Sequence, residues 1–167
     1  MDLCLSLVRV RLERNQIEGD ISELGIHPNM VYMDMSSNKL YGQFSDHWRE
    51  WRNLTKLNIS NNNIMGKIPA SMGQLSQLKL LDLSSNKLEG ELPSELGNLK
   101  TLFHLILADN MLYGSIPQKF GALSNLELLD LSSNYLSGSI QGSIEHCPKL
   151  RFLKLSHNNF KGTSLPS

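Results

Sequence analysis

Residues 78–93 read LKLLDLSSNKLEGELP, and copies of this stretch precede and follow it. The asparagine of the stretch recurs at intervals of 23 and then 24 residues, at Asn15, Asn38, Asn62, Asn86, Asn110, Asn134 and Asn158. A fixed period of this length is the sequence signature of a solenoid, in which each unit packs against its neighbours. The chain of 167 residues therefore holds about seven units of 24 residues, which we interpret as a single domain over 1–167.

Each part of the repeat predicts a local structure. The alternating L-x-L segment predicts one short strand per unit, and stacked strands give a parallel sheet on the concave side. The asparagine follows where the chain turns away, and its amide can pair with buried backbone groups of that turn. Apolar residues at i and i+3 in the second half, as at Leu96 and Leu99, predict a 3₁₀ or short helical turn on the convex side.

Glycine recurs four residues after each asparagine, which indicates a backbone angle or close approach that a side chain would forbid. Trp48 and Trp51 occupy the two apolar positions of the convex turn, so we expect them in the core. Cys4 and Cys147 occupy a mostly apolar position at opposite ends of the array. We expect two free, buried thiols, because a disulfide needs its Cα atoms within about 7 Å.

The units resemble the plant-type leucine-rich repeat, whose mark is G-x-[I/L]-P after L-x-x-L-x-L-x-x-N-x-L. The segment LVRVRL at 7–12 and the residues that follow it resemble internal repeats of plant receptor kinases, in particular the male-discoverer-interacting receptor-like kinases. The resemblance implies an α/β solenoid that is the extracellular, ligand-sensing part of a receptor in immune or developmental signalling.

Several family features are not found in this sequence. It has no kinase signature, no apolar stretch long enough to span a membrane, no typical signal peptide at 1–7 and no paired-cysteine caps. We therefore expect the middle of an ectodomain or a short gene derived from one. Ends without caps predict self-association or a partner such as a co-receptor. The location is extracellular for a receptor fragment and cytoplasmic for a native stand-alone chain.

Composition argues against several functions. Sixteen basic and sixteen acidic residues leave no net charge, so attraction to nucleic acid or an anionic membrane is not expected. The five histidines are scattered without metal-ligand spacing, and no nucleophile, base and acid can be assembled. We predict no catalytic residue, no metal and no cofactor, and hence a binding module rather than an enzyme.

The most specific candidate site is Arg9-Val10-Arg11 in the first unit. The two arginines lie on the same side of one strand and can together hold a carboxylate or sulfate. The family resemblance implies the same role, because several plant peptide-hormone receptors hold the C-terminal carboxylate of a peptide with an R-x-R pair. The alternative is an ordinary charged strand, partly neutralised by Glu13.

A second candidate on the concave face combines aromatic and polar side chains, as protein interfaces do. Its members are Tyr32, Lys56, Phe103, His104 and Phe152. Two N-glycosylation sequons, at Asn53 and Asn58, matter if the chain is secreted. Two functions stay open: a receptor segment that binds a peptide or small protein, and a stand-alone adaptor or decoy that binds a folded protein such as a receptor or pathogen factor.

Overall fold

The computed structural model describes residues 6–140 and 142–162. In this part of the chain, each unit contains two short strands, and five of the units add a 3₁₀ turn. The strands are β1 (Arg9–Arg11), β2 (Glu18–Asp20), β3 (Tyr32–Asp34), β4 (Lys39–Gln43), β5 (Lys56–Asn58), β6 (Asn63–Gly66), β7 (Leu80–Asp82), β8 (Lys87–Glu91), β9 (His104–Ile106), β10 (Met111–Gly114), β11 (Leu128–Asp130), β12 (Tyr135–Gly138), β13 (Phe152–Lys154) and β14 (Asn159–Phe160). The 3₁₀ turns are Ile21–Glu23, Asp46–Glu50, Ala70–Gln74, Ser94–Asn98 and Gln118–Ala122.

The strands form two parallel sheets with seven strands each. The odd-numbered strands pair in chain order from β1 to β13 and form the predicted sheet, here called the concave sheet. The even-numbered strands pair in the same order from β2 to β14 and form a second sheet. The L-x-L pattern predicts one strand per unit, and the structure corrects this to two. The second strand uses the alternation of N-x-L-x-G, which places one leucine inward between two exposed residues.

The asparagine ladder is confirmed as structural. Asn110 donates from Nδ2 to the carbonyls of Leu83, Leu107 and Ala108 at 3.1–3.2 Å. Its Oδ1 accepts from the Leu88 N–H at 3.0 Å. Two of these four bonds reach the preceding unit, so each such asparagine joins two units while it pairs buried backbone groups.

Two backbone positions of each turn are special. The residue before each ladder asparagine has a left-handed φ between 51° and 58°, although none of these residues is glycine. Glycines of the repeat have φ between 77° and 89° at Gly42, Gly66, Gly90, Gly114 and Gly138. Gly19 and Gly162 have no such angle and no atom near the position of a Cβ, so the prediction for glycine is wrong at these two positions.

The core is one continuous row of buried side chains that runs through the units. Trp48 and Trp51 lie in it as predicted, 2% exposed each, with ring centroids 4.9 Å apart. His27 packs edge-on against Trp51 and is 1% exposed. Both ring nitrogens of His27 lack a hydrogen-bond partner, which is unusual for a buried polar group.

Cys147 is a buried free thiol, as predicted, and its Sγ lies 3.2 Å from the carbonyl oxygen of Phe120, to which it donates. Burial raises the pKa of this thiol. Cys4 lies outside the described residues. The inner leucine of β13, Leu153, is 39% exposed, whereas the equivalent Leu129 is fully buried. No helix in the described ranges is long and apolar enough to cross a membrane.

Candidate ligand-binding face

Strand pairing places the predicted site residues in two rows across the concave sheet. Third positions of the repeat stand in register from strand to strand, in the order Arg9, Tyr32, Lys56, Leu80, His104, Leu128 and Phe152. Fifth positions form the parallel row Arg11, Asp34, Asn58, Asp82, Ile106, Asp130 and Lys154. The two rows are the exposed side of this sheet, since the intervening residues point into the core.

Tyr32 lies between two cations. The guanidinium carbon of Arg9 is 4.8 Å from the ring centroid, and Nζ of Lys56 is 4.6 Å from it. Lys56 also donates to the Tyr32 hydroxyl at 2.8 Å. Both cations are within the distance at which a ring face attracts positive charge. Three side chains from three successive units therefore form one contiguous surface at the start of the array.

Asp34 connects this surface to the fifth-position row. Its Oδ2 accepts from Lys56 at 3.2 Å and from Asn58 at 3.3 Å, and its Oδ1 accepts from the hydroxyl of Ser36 at 2.7 Å. Burial opposes ionisation of Asp34, but the bonds from Ser36 and Lys56 outweigh it and set the pKa below its usual value. For Lys56, burial acts against the charged form, and the bonds to Tyr32 and Asp34 outweigh it, so the pKa is raised. The pair is thus ionised at neutral pH.

Arg11 and Arg9 are not in equivalent environments. Arg11 donates from Nε to Glu13 Oε1 at 3.1 Å, and its NH2 group bonds to the same oxygen. This hydrogen bond lowers the pKa of Glu13, so the carboxylate stays charged and compensates Arg11. Arg9 forms no ion pair with any described residue. A ligand anion would therefore meet one uncompensated guanidinium rather than two.

The later units present a more apolar surface. Leu80, Ile106 and Leu128 are half-buried, and Phe152 is 60% exposed. His104 lies between Leu80 and Leu128 in the third-position row. Among the described residues, the side-chain hydrogen bond that joins two members of the predicted group is the one from Lys56 to Tyr32. The leucines that lie between its members in the third-position row belong to the same surface. They could have been predicted from the sequence, because they occupy the same position of the repeat as the predicted residues.

The remaining predicted positions lie close to this face. Phe103 immediately precedes β9 and is half-buried. Asn53 is exposed and donates to the carbonyl of Pro28 at 2.8 Å. Asn58 is half-buried in β5, where its Oδ1 accepts from the Ser60 N–H at 3.1 Å. A glycan at Asn58 would stand on the concave sheet, while a glycan at Asn53 would stand beside it.

No group of three or more histidine, cysteine, aspartate or glutamate side chains is placed to hold a metal ion within 6–140 and 142–162. The polar groups of the face are instead spread along two rows. Such an arrangement is suited to an extended ligand that contacts several units, because neighbouring strands are about 4.8 Å apart.

The chain belongs to the leucine-rich-repeat family. Residues 33–165 match the family model described as "Leucine-rich repeat region". No curated protein matches the sequence. Solved structures refine the class, since the chain is similar to ectodomains of plant receptor kinases.

Three of these structures are complexes of a plant receptor with a second, bound component. The plant peptide hormone receptor RGFR1 with RGF2 is 35% identical, with a TM-score of 0.89 over 92% of this chain and 25% of that one. The Arabidopsis thaliana receptor kinase GASSHO1/SCHENGEN3 with CASPARIAN STRIP INTEGRITY FACTOR 2 is 41% identical, with a TM-score of 0.89 over 93% of this chain and 19% of that one. The Arabidopsis receptor kinase HAESA with an extended IDA hormone is 34% identical, with a TM-score of 0.88 over 95% of this chain and 27% of that one. The chain thus spans about a quarter or less of these receptors.

Proposed function

We propose that the chain is a non-catalytic module that binds an extended peptide across the two rows of the concave sheet, as part of the ligand-sensing region of a plant receptor kinase. The observation that carries this proposal is the uninterrupted concave sheet, whose third-position row changes from cationic and aromatic to apolar side chains along seven units. A regular scaffold whose side chains vary between units offers sequence-specific contacts to a long ligand.

The similarity to receptors solved with peptide ligands supports the same proposal. Membership of the male-discoverer-interacting group, a role in defence or development, and a co-receptor or self-association at the ends are finer predictions. Each of these stays a prediction. The interpretation of residues 1–167 as a single domain without recognisable caps also stays a prediction.

The proposal can be tested with peptides secreted by plant tissue. A low-molecular-weight extracellular fraction is passed over the immobilised chain, and retained peptides are sequenced by mass spectrometry. Each peptide is then synthesised and titrated calorimetrically into the wild type and the variants. We expect the double variant of Arg9→Ala and Arg11→Ala to lose on the order of 2–4 kcal/mol of binding free energy if the pair holds a desolvated anion.

A matched pair of aromatic variants locates the ligand. Phe152 in the concave sheet and Tyr135 in the second sheet are both 60% exposed. Phe152→Ala or Tyr32→Ala should weaken peptide binding, and Tyr135→Ala should not. Loss of binding in Tyr135→Ala alone would contradict the proposal, because it would place the ligand on the second sheet.

The alternative is an adaptor or decoy that binds a folded protein. The half-buried Tyr32 and the exposed Phe152 lie near opposite ends of the third-position row, which favours a broad partner if both are needed. In that case no small peptide would be retained from the extracellular fraction, and binding of a folded partner would survive the arginine substitutions.

A further inference from the structure

Three aspartates occupy the fifth position in different units of the concave sheet, and one of them differs from the other two. Asp34, Asp82 and Asp130 each accept, through Oδ1, from the backbone N–H and the hydroxyl of the serine two residues later. These bonds are 2.6–3.2 Å long in all three cases. Oδ1 therefore makes the same hydrogen bonds in all three aspartates, and the aspartates differ in the partners of Oδ2.

The second oxygen has a partner in two of the three aspartates. Oδ2 of Asp34 accepts from Lys56 and Asn58, and Oδ2 of Asp130 pairs with Lys154 at 3.3 Å. Oδ2 of Asp82 accepts no hydrogen bond and forms no ion pair within the described ranges. Asp82 is half-buried, whereas Asp34 and Asp130 are buried at 7% and 8% exposure, so Asp82 is the aspartate of the three that a ligand cation can reach most easily.

The residues around Asp82 differ from those around Asp34. His104 stands in the row position relative to Asp82 that Lys56 holds relative to Asp34. The neighbour on the other side, Asn58, turns its donor towards Asp34 and its Oδ1 towards Ser60. The other adjacent fifth-position residue is Ile106, which offers no donor.

The surroundings of Asp82 are suited to a long basic side chain. Leu80 in the same strand and Ile106 in the next strand are half-buried apolar residues on the same face. The aliphatic part of a lysine or arginine packs on apolar surface while its charged end reaches a carboxylate. Aspartate oxygens pair strongly with such donors when the site is partly desolvated.

We propose that Asp82 receives a lysine or arginine side chain of the bound peptide, at a fixed distance from the acidic group that is already expected at Arg9. This inference rests on the proposed function and adds the chemical class of the ligand. β1 and β7 are separated by three strand spacings of about 4.8 Å, or roughly 14 Å across the sheet. An extended peptide covers about 3.3 Å per residue, so the acidic and basic groups should be roughly four or five residues apart.

The variant Asp82→Asn tests this pairing with little risk to the fold. The chain already carries an asparagine at this position in Asn58, and its Oδ1 accepts from Ser60 as the aspartates accept from their serines. Asp130→Asn is the matched control, because it removes the same charge where Lys154 already supplies the partner. The variant Arg9→Gln tests whether Arg9 binds the acidic group of the peptide.

The probe is a phage-displayed library of random dodecapeptides selected against the wild type, followed by titration of the selected peptides as synthetic chains. We expect a basic residue four or five positions from an acidic one. Replacing that basic residue with norleucine should weaken binding to the wild type at least tenfold and leave binding to Asp82→Asn unchanged. Arg9→Gln should remove the preference for the acidic residue, and Asp130→Asn should keep both preferences.

The outcomes separate this inference from the proposed function. Peptides that bind Asp82→Asn as tightly as the wild type and keep their basic residue would overturn the inference. If such peptides still lose affinity in Tyr32→Ala or Phe152→Ala, the proposed function survives without it. Selected peptides that are insensitive to every concave variant, or a selection that yields none, would overturn both.

Discussion

The asparagine ladder and the concave face run through the same units, but one is constant and the other changes from unit to unit. Asn62, Asn86, Asn110 and Asn134 make the same set of four bonds each. On the concave face, equivalent positions hold arginine, tyrosine, lysine, leucine, histidine and phenylalanine. The difference indicates that the ladder maintains the fold, while ligand recognition is carried by positions that the fold leaves free.

Removing a ladder amide should have the largest effect on stability. Asn110→Ala removes four hydrogen bonds in a buried turn, although the Ala108 carbonyl still accepts from the Ser85 N–H at 2.9 Å, and we expect a loss of about 3–5 kcal/mol in the free energy of unfolding. Asn15→Ala is the control, because Asn15 is exposed and donates only to the nearby carbonyls of Leu12 and Glu13.

The two variants are compared by urea denaturation followed by far-ultraviolet circular dichroism. Asn15→Ala should cost about 1 kcal/mol or less. Equal losses in the two variants would contradict the view that the ladder stabilises the array by joining neighbouring units.

The period alone was sufficient to predict the solenoid, the concave sheet, the ladder and the buried tryptophans, because each depends on a residue type that recurs. The second sheet was missed because its strands consist of turn-like residues around one leucine, as in Lys39–Gln43. The left-handed residues before each asparagine were missed because their identities vary, for example Arg14, Ser85 and Asp109. Backbone geometry is set there by the turn and not by a characteristic side chain.

The sequence predicted which residues lie on the candidate face, but not which of their side chains pair with each other. Alternation of the strand placed Arg9 and Arg11 on one side, as it did Tyr32 and Asp34. It raised Glu13 as a partner for the arginine pair, but it gave no indication that Glu13 pairs with Arg11 rather than Arg9 or that Arg9 stacks on Tyr32. Side-chain pairing between units depends on rotamers and on strand register, which spacing along the chain does not determine.

His27 differs from the residues that occupy the same buried position of the repeat in other units. It fills the position that Leu75, Leu99 and Leu123 fill in other units, yet neither ring nitrogen has a partner. Because an unpaired buried polar group is unfavourable, we expect His27→Leu to raise the free energy of unfolding by about 1 kcal/mol. Thermal and urea denaturation would both report this gain.

The reverse change provides the control. Leu75→His places an imidazole in a fully buried position and should lower stability by about 2–3 kcal/mol. If His27→Leu instead destabilises the chain, His27 has a stabilising role in the first units that its lack of hydrogen bonds does not reveal.

A change on the concave face should have the smallest effect on stability, and it should depend on pH. The pKa of Asp34 is lowered, so this carboxylate contributes stability above the unfolded value of about 4, and the contribution is lost as pH falls through the folded value. Lys56→Met removes one source of that lowering and should cost about 0.5–1 kcal/mol at pH 7, since Lys56 is only 26% exposed. The cost should shrink below about pH 4, where the carboxylate becomes protonated.

Lys154→Met is the matched control, because Lys154 pairs with Asp130 in the same way but is 60% exposed, and its loss should stay within about 0.5 kcal/mol. Urea titrations between pH 2.5 and 7, a range chosen to bracket the aspartate pKa, would measure both. Equal, pH-independent losses would mean that the Tyr32–Lys56–Asp34 network is no more structural than an ordinary surface ion pair.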